Sequence, residues 1–253
     1  MPERFFVDGE IFAGSEAVIE GLVASHIARS LRMRAGDTLV AVDGAGREHG
    51  LSLTRVEADR VEGEVTWSRE ATGEPRLRIT VLQALPRERM EDCIDALVQA
   101  GATEIRPVIT ERVVSRPGED RIPPRLRRWQ AVAAESAQLA GRGMIPRVHS
   151  PTTLDDALVA VGSGSRLISC TFDGEPSIVD LSVDAERPLT LCIGPEGGLG
   201  TRDLDILRAN GTEAVHIGAR VLRTRYAGAI ACALLLGRSG DLATPLATEP
   251  PLT

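Results

Sequence analysis

The stretch CIGPEGG, residues 192–198, closes an apolar run, PLTLCIG (188–194), and precedes the helically spaced TRDLDILRANG (201–211). A short apolar run, a glycine loop and then helical spacing describe a strand–loop–helix unit. In open α/β sheets, ligands collect at the carboxyl ends of such strands. Pro195 fixes one dihedral and stiffens the loop, while Gly194, Gly197 and Gly198 let a flat ligand approach the backbone. The loop is not a P-loop, because the Lys-Ser/Thr pair is missing. It is not a dinucleotide fingerprint either, since G-x-x-G-G lacks the G-x-G-x-x-G spacing. Without positive charge it suits adenosine, or an already cationic ligand, better than a polyphosphate. Glu196 then either caps the following helix region or complements that cation. Taken alone, the loop is equally a strained turn with no ligand.

Working outward, strands and helices alternate on both sides of this loop. RITVLQAL (78–85), IRPVIT (105–110), RLISCTF (166–172), PLTLCIG and AVHIG (214–218) read as strands. Helices are expected at 89–102, 124–141, 152–160, 201–211 and 225–237, so the pattern predicts a mostly parallel sheet covered on both faces. Trp129 falls on the apolar stripe of the 124–141 helix and reads as core. The first seventy residues differ. AVIEG, DTLVAVDG, EHGLSLTRV and RVEGEVTW carry apolar residues at roughly alternate positions, with turn chemistry at Asp43-Gly44 and Ala45-Gly46. One helical stretch, LVASHIARSLRMR (22–34), interrupts them and ends in Arg29, Arg32 and Arg34. This predicts a small β-barrel over 1–72, an α/β domain over 73–240 after the linker-like ATGEP, and a disordered tail over 241–253.

Of the 253 residues, 43% are apolar and 26% charged, which fits a globular chain with a substantial core. The longest apolar run, AGAIACALLLG (227–237), is too short for a membrane span. No N-terminal basic-then-apolar stretch marks a secretory signal, so a cytoplasmic location is expected. Cys93, Cys170, Cys192 and Cys232 are scattered, and the four histidines lack ligand spacing. Neither a disulfide frame nor a metal site is expected. All 29 basic residues are arginine, which excludes Schiff-base chemistry and a lysine base. The net charge of −7 is uneven. Residues 1–70 hold 8 Arg against 13 acids, whereas 112–147 hold 8 Arg against 3 acids. Arg112, Arg125, Arg127 and Arg128 in that basic segment are candidate phosphate contacts or plain solvated charges.

A second loop, HIGARVLRTRYAG (216–228), again runs from strand through Gly218 to helix. With IGPEGG, RFFV (4–7), HIARSLRMRAGDTLVAVDGAGREH (26–49), ALPRERMEDCIDALVQAGATEIRPVITER (84–112) and RRWQAVAAESAQLAGRGMIPRV (127–148), it gives the chain a family likeness. The chain resembles the SPOUT-class methyltransferases that modify 16S ribosomal RNA at uridine N3. The resemblance implies an N-terminal PUA-like RNA-binding barrel and a C-terminal α/β domain tied in a deep trefoil knot. It further implies S-adenosylmethionine as cofactor, 16S rRNA or the small ribosomal subunit as partner, and a homodimer. It places Gly194, Pro195, Glu196, Gly197, Gly198, Ile217, Gly218, Val221, Leu222 and Arg223 in the cofactor pocket. Arg142 and Arg223 become the candidate guanidiniums for stabilising the uridine imide anion. The RNA-binding candidates are Arg29, Arg32, Arg34, Arg112, Arg125, Arg127 and Arg128.

The chain departs from the family where small groups usually line the pocket, reading Arg225-Tyr226 instead. The segment around Arg142 is altered too. Two further readings therefore stand beside the enzyme: a non-catalytic RNA-binding paralogue of the same fold, and a methyltransferase of this class with another RNA target.

Overall fold

Alternating apolar residues in the first seventy positions build a mostly antiparallel ladder. In the computed structural model, which describes residues 3–243, its strands are β1 (Arg4–Phe6), β2 (Phe12–Ala13), β3 (Glu16–Glu20), β4 (Thr38–Val42), β5 (Arg47–Val56) and β6 (Arg60–Glu70). The order is β1-β4-β5-β6-β3-β2, with β1 and β4 parallel and every other pair antiparallel. Two register shifts in β5 bend this sheet. Phe5, Ile19, Ile27, Leu39, Leu51 and Leu53 fill its core.

Helix α1 (Gly21–Ser25) passes into a wide π-helical turn over His26–Ser30, where Leu31 N–H donates to His26 O. The expected helix over 22–34 therefore stops early. Arg32 takes a left-handed backbone (φ +56°), and Arg34 N–H is held by Asp37 Oδ2 at 2.7 Å. Of the three basic residues, only Arg29 lies within the helical segment. The unit also holds a buried charge that alternation did not reveal. Glu48 is fully buried on β5, with its carboxylate shared between Arg4 and Arg69.

The chain divides into two compact units. Among the described residues, the first runs to Glu74 and takes in Ala137–Ile145; the second holds Pro75–Ser136 and 146–243. In the second unit β7 (Ile79–Ala84), β8 (Glu104–Ile109), β9 (Arg147–Val148), β10 (Thr152–Thr153), β11 (Arg166–Cys170), β12 (Leu189–Ile193) and β13 (Glu213–Val215) form one parallel sheet. Its order is β10-β8-β7-β12-β11-β13, with β9 beside β8. All five residues of the central strand β12 are buried, as a strand covered on both faces requires.

The helices are α2 (Met90–Gln99), α3 (Ile122–Leu139), α4 (Leu154–Val161), α5 (Thr201–Ala209) and α6 (Thr224–Ser239). Trp129 on α3 is buried. Small residues let α6 press onto its neighbours. A Cβ at Gly228 would come within 2.9 Å of Leu97 Cδ2 on α2 and 3.1 Å of Gln83 Oε1 on β7. The expected disordered tail opens on a 3-10 turn at Asp241–Ala243, and its remainder, 244–253, lies outside the described residues. Among the described residues no helix is long and apolar enough to cross a membrane.

Candidate functional site

Parallel pairing puts the loops after β11, β12 and β13 at one end of the sheet. There they enclose a cavity of about 310 Å3. All ten residues expected at a cofactor pocket line it: Gly194, Pro195, Glu196, Gly197 and Gly198 from the first loop, and Ile217, Gly218, Val221, Leu222 and Arg223 from the second. Buried Ile193, Pro195, Leu199 and Thr224 form inner surface, while Arg112, Arg220 and Arg223 are exposed.

The first loop needs its glycines for two separate reasons. Gly198 sits at φ +70°, a left-handed conformation that side chains resist. A Cβ at Gly194 would stand 3.1 Å from both Gly198 C and Leu199 N, because the loop folds back on itself. A turn bond from Gly198 N–H to Pro195 O at 2.8 Å closes it. Glu196 does not cap the next helix. Its Oε2 accepts from Arg87 N–H at 3.1 Å and ties the loop to the segment after β7.

A third wall was not legible in the sequence. Thr171, Phe172 and Asp173, just past β11, line the cavity, and Phe172 is 74% exposed. Their strand was expected, but its position beside β12 was not. Arg112 also lines the cavity. Its Nη1 donates to Gly197 O at 2.8 Å. The placement is enforced from behind, where buried Asp203 accepts from Glu111 N–H at 3.1 and 3.2 Å and from Gly200 N–H at 2.8 Å. Glu111 Oε2 in turn accepts from Arg202 N–H at 3.0 Å. Arg112, a candidate phosphate contact or solvated charge in the sequence, braces the glycine loop here.

Arg142 calls for a correction. It is 3% exposed, belongs to the first unit, and does not line the cavity. Its Nε and Nη2 donate to Glu74 at 3.1 and 2.7 Å, and Glu74 Oε1 also accepts from the backbone N–H of Gly143 and Met144, each at 3.0 Å. A guanidinium already neutralised and desolvated holds the returning segment 137–145 in place. Arg225 and Tyr226 also keep clear of the cavity. Arg225 lies 3.5 Å from Asp92 and stacks on the Tyr226 ring, and Thr224 and Ala227 line the space instead.

Of the RNA-binding candidates, Arg29, Arg32, Arg34 and Arg127 are exposed and make no ion pair among the described residues. Arg128 pairs with Glu91 at 3.0 Å, and Arg125 is half-buried. Cys170 also lines the cavity. Burial, then the neighbouring Cys192 and Cys232, push its thiol far above the usual value and keep it protonated. Among the described residues no three His, Cys, Asp or Glu gather as metal ligands.

Known proteins share this order of domains and this fold. An RNA methyltransferase domain family matches residues 73–236, and an RNA methyltransferase PUA domain family matches 19–66. The chain is 32% identical over 234 residues to the ribosomal RNA small subunit methyltransferase E of Mycobacterium bovis, covering 90% of this chain and 88% of that one. The crystal structure of ribosomal RNA small subunit methyltransferase E from Neisseria gonorrhoeae, bound to S-adenosylmethionine, superposes with a TM-score of 0.83 at 26% identity, covering 92% of this chain and 96% of that one. A Legionella pneumophila methyltransferase in complex with S-adenosylmethionine superposes with a TM-score of 0.81 at 25% identity, over 94% and 98% of the two chains. Two domains in one order, one glycine-walled cavity and a relative matched along nearly its full length agree: the chain belongs to the ribosomal RNA small subunit methyltransferase E family.

Proposed function

We propose that this chain methylates N3 of a uridine in 16S rRNA, with S-adenosylmethionine as donor. The observation that carries the reading is the convergence of three strand-end loops on one cavity with an apolar interior and close-approach glycines. The cavity fits that donor. Gly194, Gly197 and Gly198 offer backbone to a flat adenine, Ile193 and Leu199 offer apolar contact, and the buried Thr171 Oγ1 has no hydrogen-bond partner among the described residues. When bound, the donor supplies an electrophilic methyl group on a sulfonium centre. The loops would hold it, and the apolar interior would keep water from the reacting atoms.

Uridine N3 presents a lone pair only as its imide proton leaves. Arg223, exposed at the cavity and without an ion pair among the described residues, would stabilise the resulting anion through charge-assisted hydrogen bonds to the flanking oxygens. Exposed Arg29, Arg32 and Arg34 would contact phosphates from the PUA-like unit. The exposed pair Tyr226 and Ile230, one turn apart on α6, is a surface for a second copy of the chain. The reading includes the trefoil knot implied by the resemblance and places the reaction in the cytoplasm. Of the two motives for the non-catalytic reading, the Arg225-Tyr226 departure loses force, because neither residue lines the cavity, while the altered segment around Arg142 still favours it.

The test combines calorimetry with S-adenosylmethionine and mass spectrometry of small-subunit rRNA incubated with the purified chain. Micromolar donor binding and new N3-methyluridine are expected. Absence of donor binding would sink the reading, and a methyl group on another atom or another RNA would redirect it to a different target.

A further inference from the structure

A second cavity, of about 500 Å3, opens in the same unit between the segment after β7 and the first turns of α3. Four arginines line it, Arg87, Arg89, Arg125 and Arg128, against two carboxylates, Glu88 and Glu91. Part of this charge is already matched. Arg128 Nε sits 3.0 Å from Glu91, and Arg89 Nε sits 3.1 Å from Asp92. Arg87 and Arg125 make no ion pair among the described residues, and they enter the cavity from elements 38 positions apart. Arg89 holds a left-handed backbone (φ +60°, ψ +57°), an outlier for a residue with a side chain. It stands between the Arg87 loop and α2.

Two arginines that line one open space from different elements, with no ion pair among the described residues, can together grip an anion with several acceptor oxygens. The fork geometry of guanidinium suits phosphate oxygens. The position of the clamp narrows the choice of ligand. Arg87 N–H donates to Glu196 Oε2, and Glu196 lines the glycine-walled cavity, so one hydrogen bond separates the two spaces.

We infer that this second cavity holds a backbone phosphodiester of the RNA strand close to the nucleotide presented to the first cavity. The inference rests on the methyltransferase reading for the nature of that strand. A phosphate gripped by Arg87 and Arg125 fixes the strand's register against the glycine loop and carries no sequence information itself.

The experiment measures RNA affinity against salt for the full chain and for the variants Arg87→Ala, Arg125→Ala and Arg125→Lys, using a short single-stranded rRNA fragment. Calorimetry with S-adenosylmethionine runs in parallel. Each alanine variant should weaken RNA binding by about tenfold and reduce the salt slope by about one, while donor affinity stays constant. Arg125→Lys should recover most of the salt slope, because it keeps the charge. Unchanged RNA affinity and slope in both alanine variants would overturn the inference while leaving the methyltransferase reading intact. Loss of donor binding in the unmodified chain would overturn the methyltransferase reading instead, and the RNA measurement would still report on the clamp. Inorganic pyrophosphate is the competing probe. If it binds through Arg87 and Arg125 while RNA affinity ignores both, the cavity is a free-anion site and the RNA assignment fails.

Discussion

The sheets of the two units meet the cost of burial in opposite ways. In the first, Glu48 is buried and matched by Arg4 and Arg69, so charge is taken inside and compensated. In the second, β12 is buried along its whole length, and its inward groups are aliphatic apart from Cys192 and the Thr190 hydroxyl, which pairs with Ser165 Oγ at 2.7 Å. An antiparallel sheet with one wet face can reach solvent-facing arginines; a central parallel strand cannot. The first unit presents Arg29, Arg32 and Arg34 outward; the second spends its strand-end loops on a cavity and carries exposed arginines of its own.

Substitutions can break this contrast at graded strength. Leu191→Ala, at the fully buried centre of β12, should destabilise the chain by about 3 kcal/mol in denaturant unfolding, independent of salt. A loss below about 1 kcal/mol would mean the parallel core is loosely packed. Glu48→Ala leaves two guanidiniums without their shared carboxylate. A loss of about 2 kcal/mol is expected, less than for a fully buried pair because both arginines are partly exposed. No loss would show the buried triad to be dispensable.

Gly198→Ala sharpens the comparison at the cavity. Its left-handed φ penalises any Cβ, so donor affinity should fall by about tenfold, roughly 1.4 kcal/mol, measured by calorimetry with circular dichroism unchanged. The smallest effect belongs to the surface pair Arg166–Glu213. A hydrogen bond from Arg166 holds the Glu213 carboxyl below its ordinary value. A depressed carboxyl pKa stabilises the fold above the unfolded value and loses that contribution as pH falls through the folded one. Arg166→Met should therefore cost about 1 kcal/mol at pH 7, and the gap to the parent should narrow on acidification below about pH 4, leaving the share due to the Arg166 Nη1 bond to Ser182 O. A gap unchanged in acid would show that the Glu213 pairing contributes nothing and that Arg166 acts through Ser182.

Elements were more legible than partners. Strand and helix positions in the second unit fell within a few residues of expectation, because apolar period is local: RITVLQAL became Ile79–Ala84 and TRDLDILRANG became Thr201–Ala209. The helix over 22–34 failed because Arg32 turns left-handed, a backbone state with no periodic signature. The third wall at Thr171–Asp173 was missed because neighbour order in a sheet is not written along the chain.

What the sequence determined by itself was the alternation of elements and the two glycine loops, since both depend on residues a few positions apart. The tertiary structure decided where the charges went. Arg142 meets Glu74 across 68 positions, Arg112 meets Gly197 across 85, and Glu196 meets Arg87 across 109. An arginine carries the same charge wherever it stands, and only the fold supplies the acceptor that makes it a brace, a clamp or a free guanidinium.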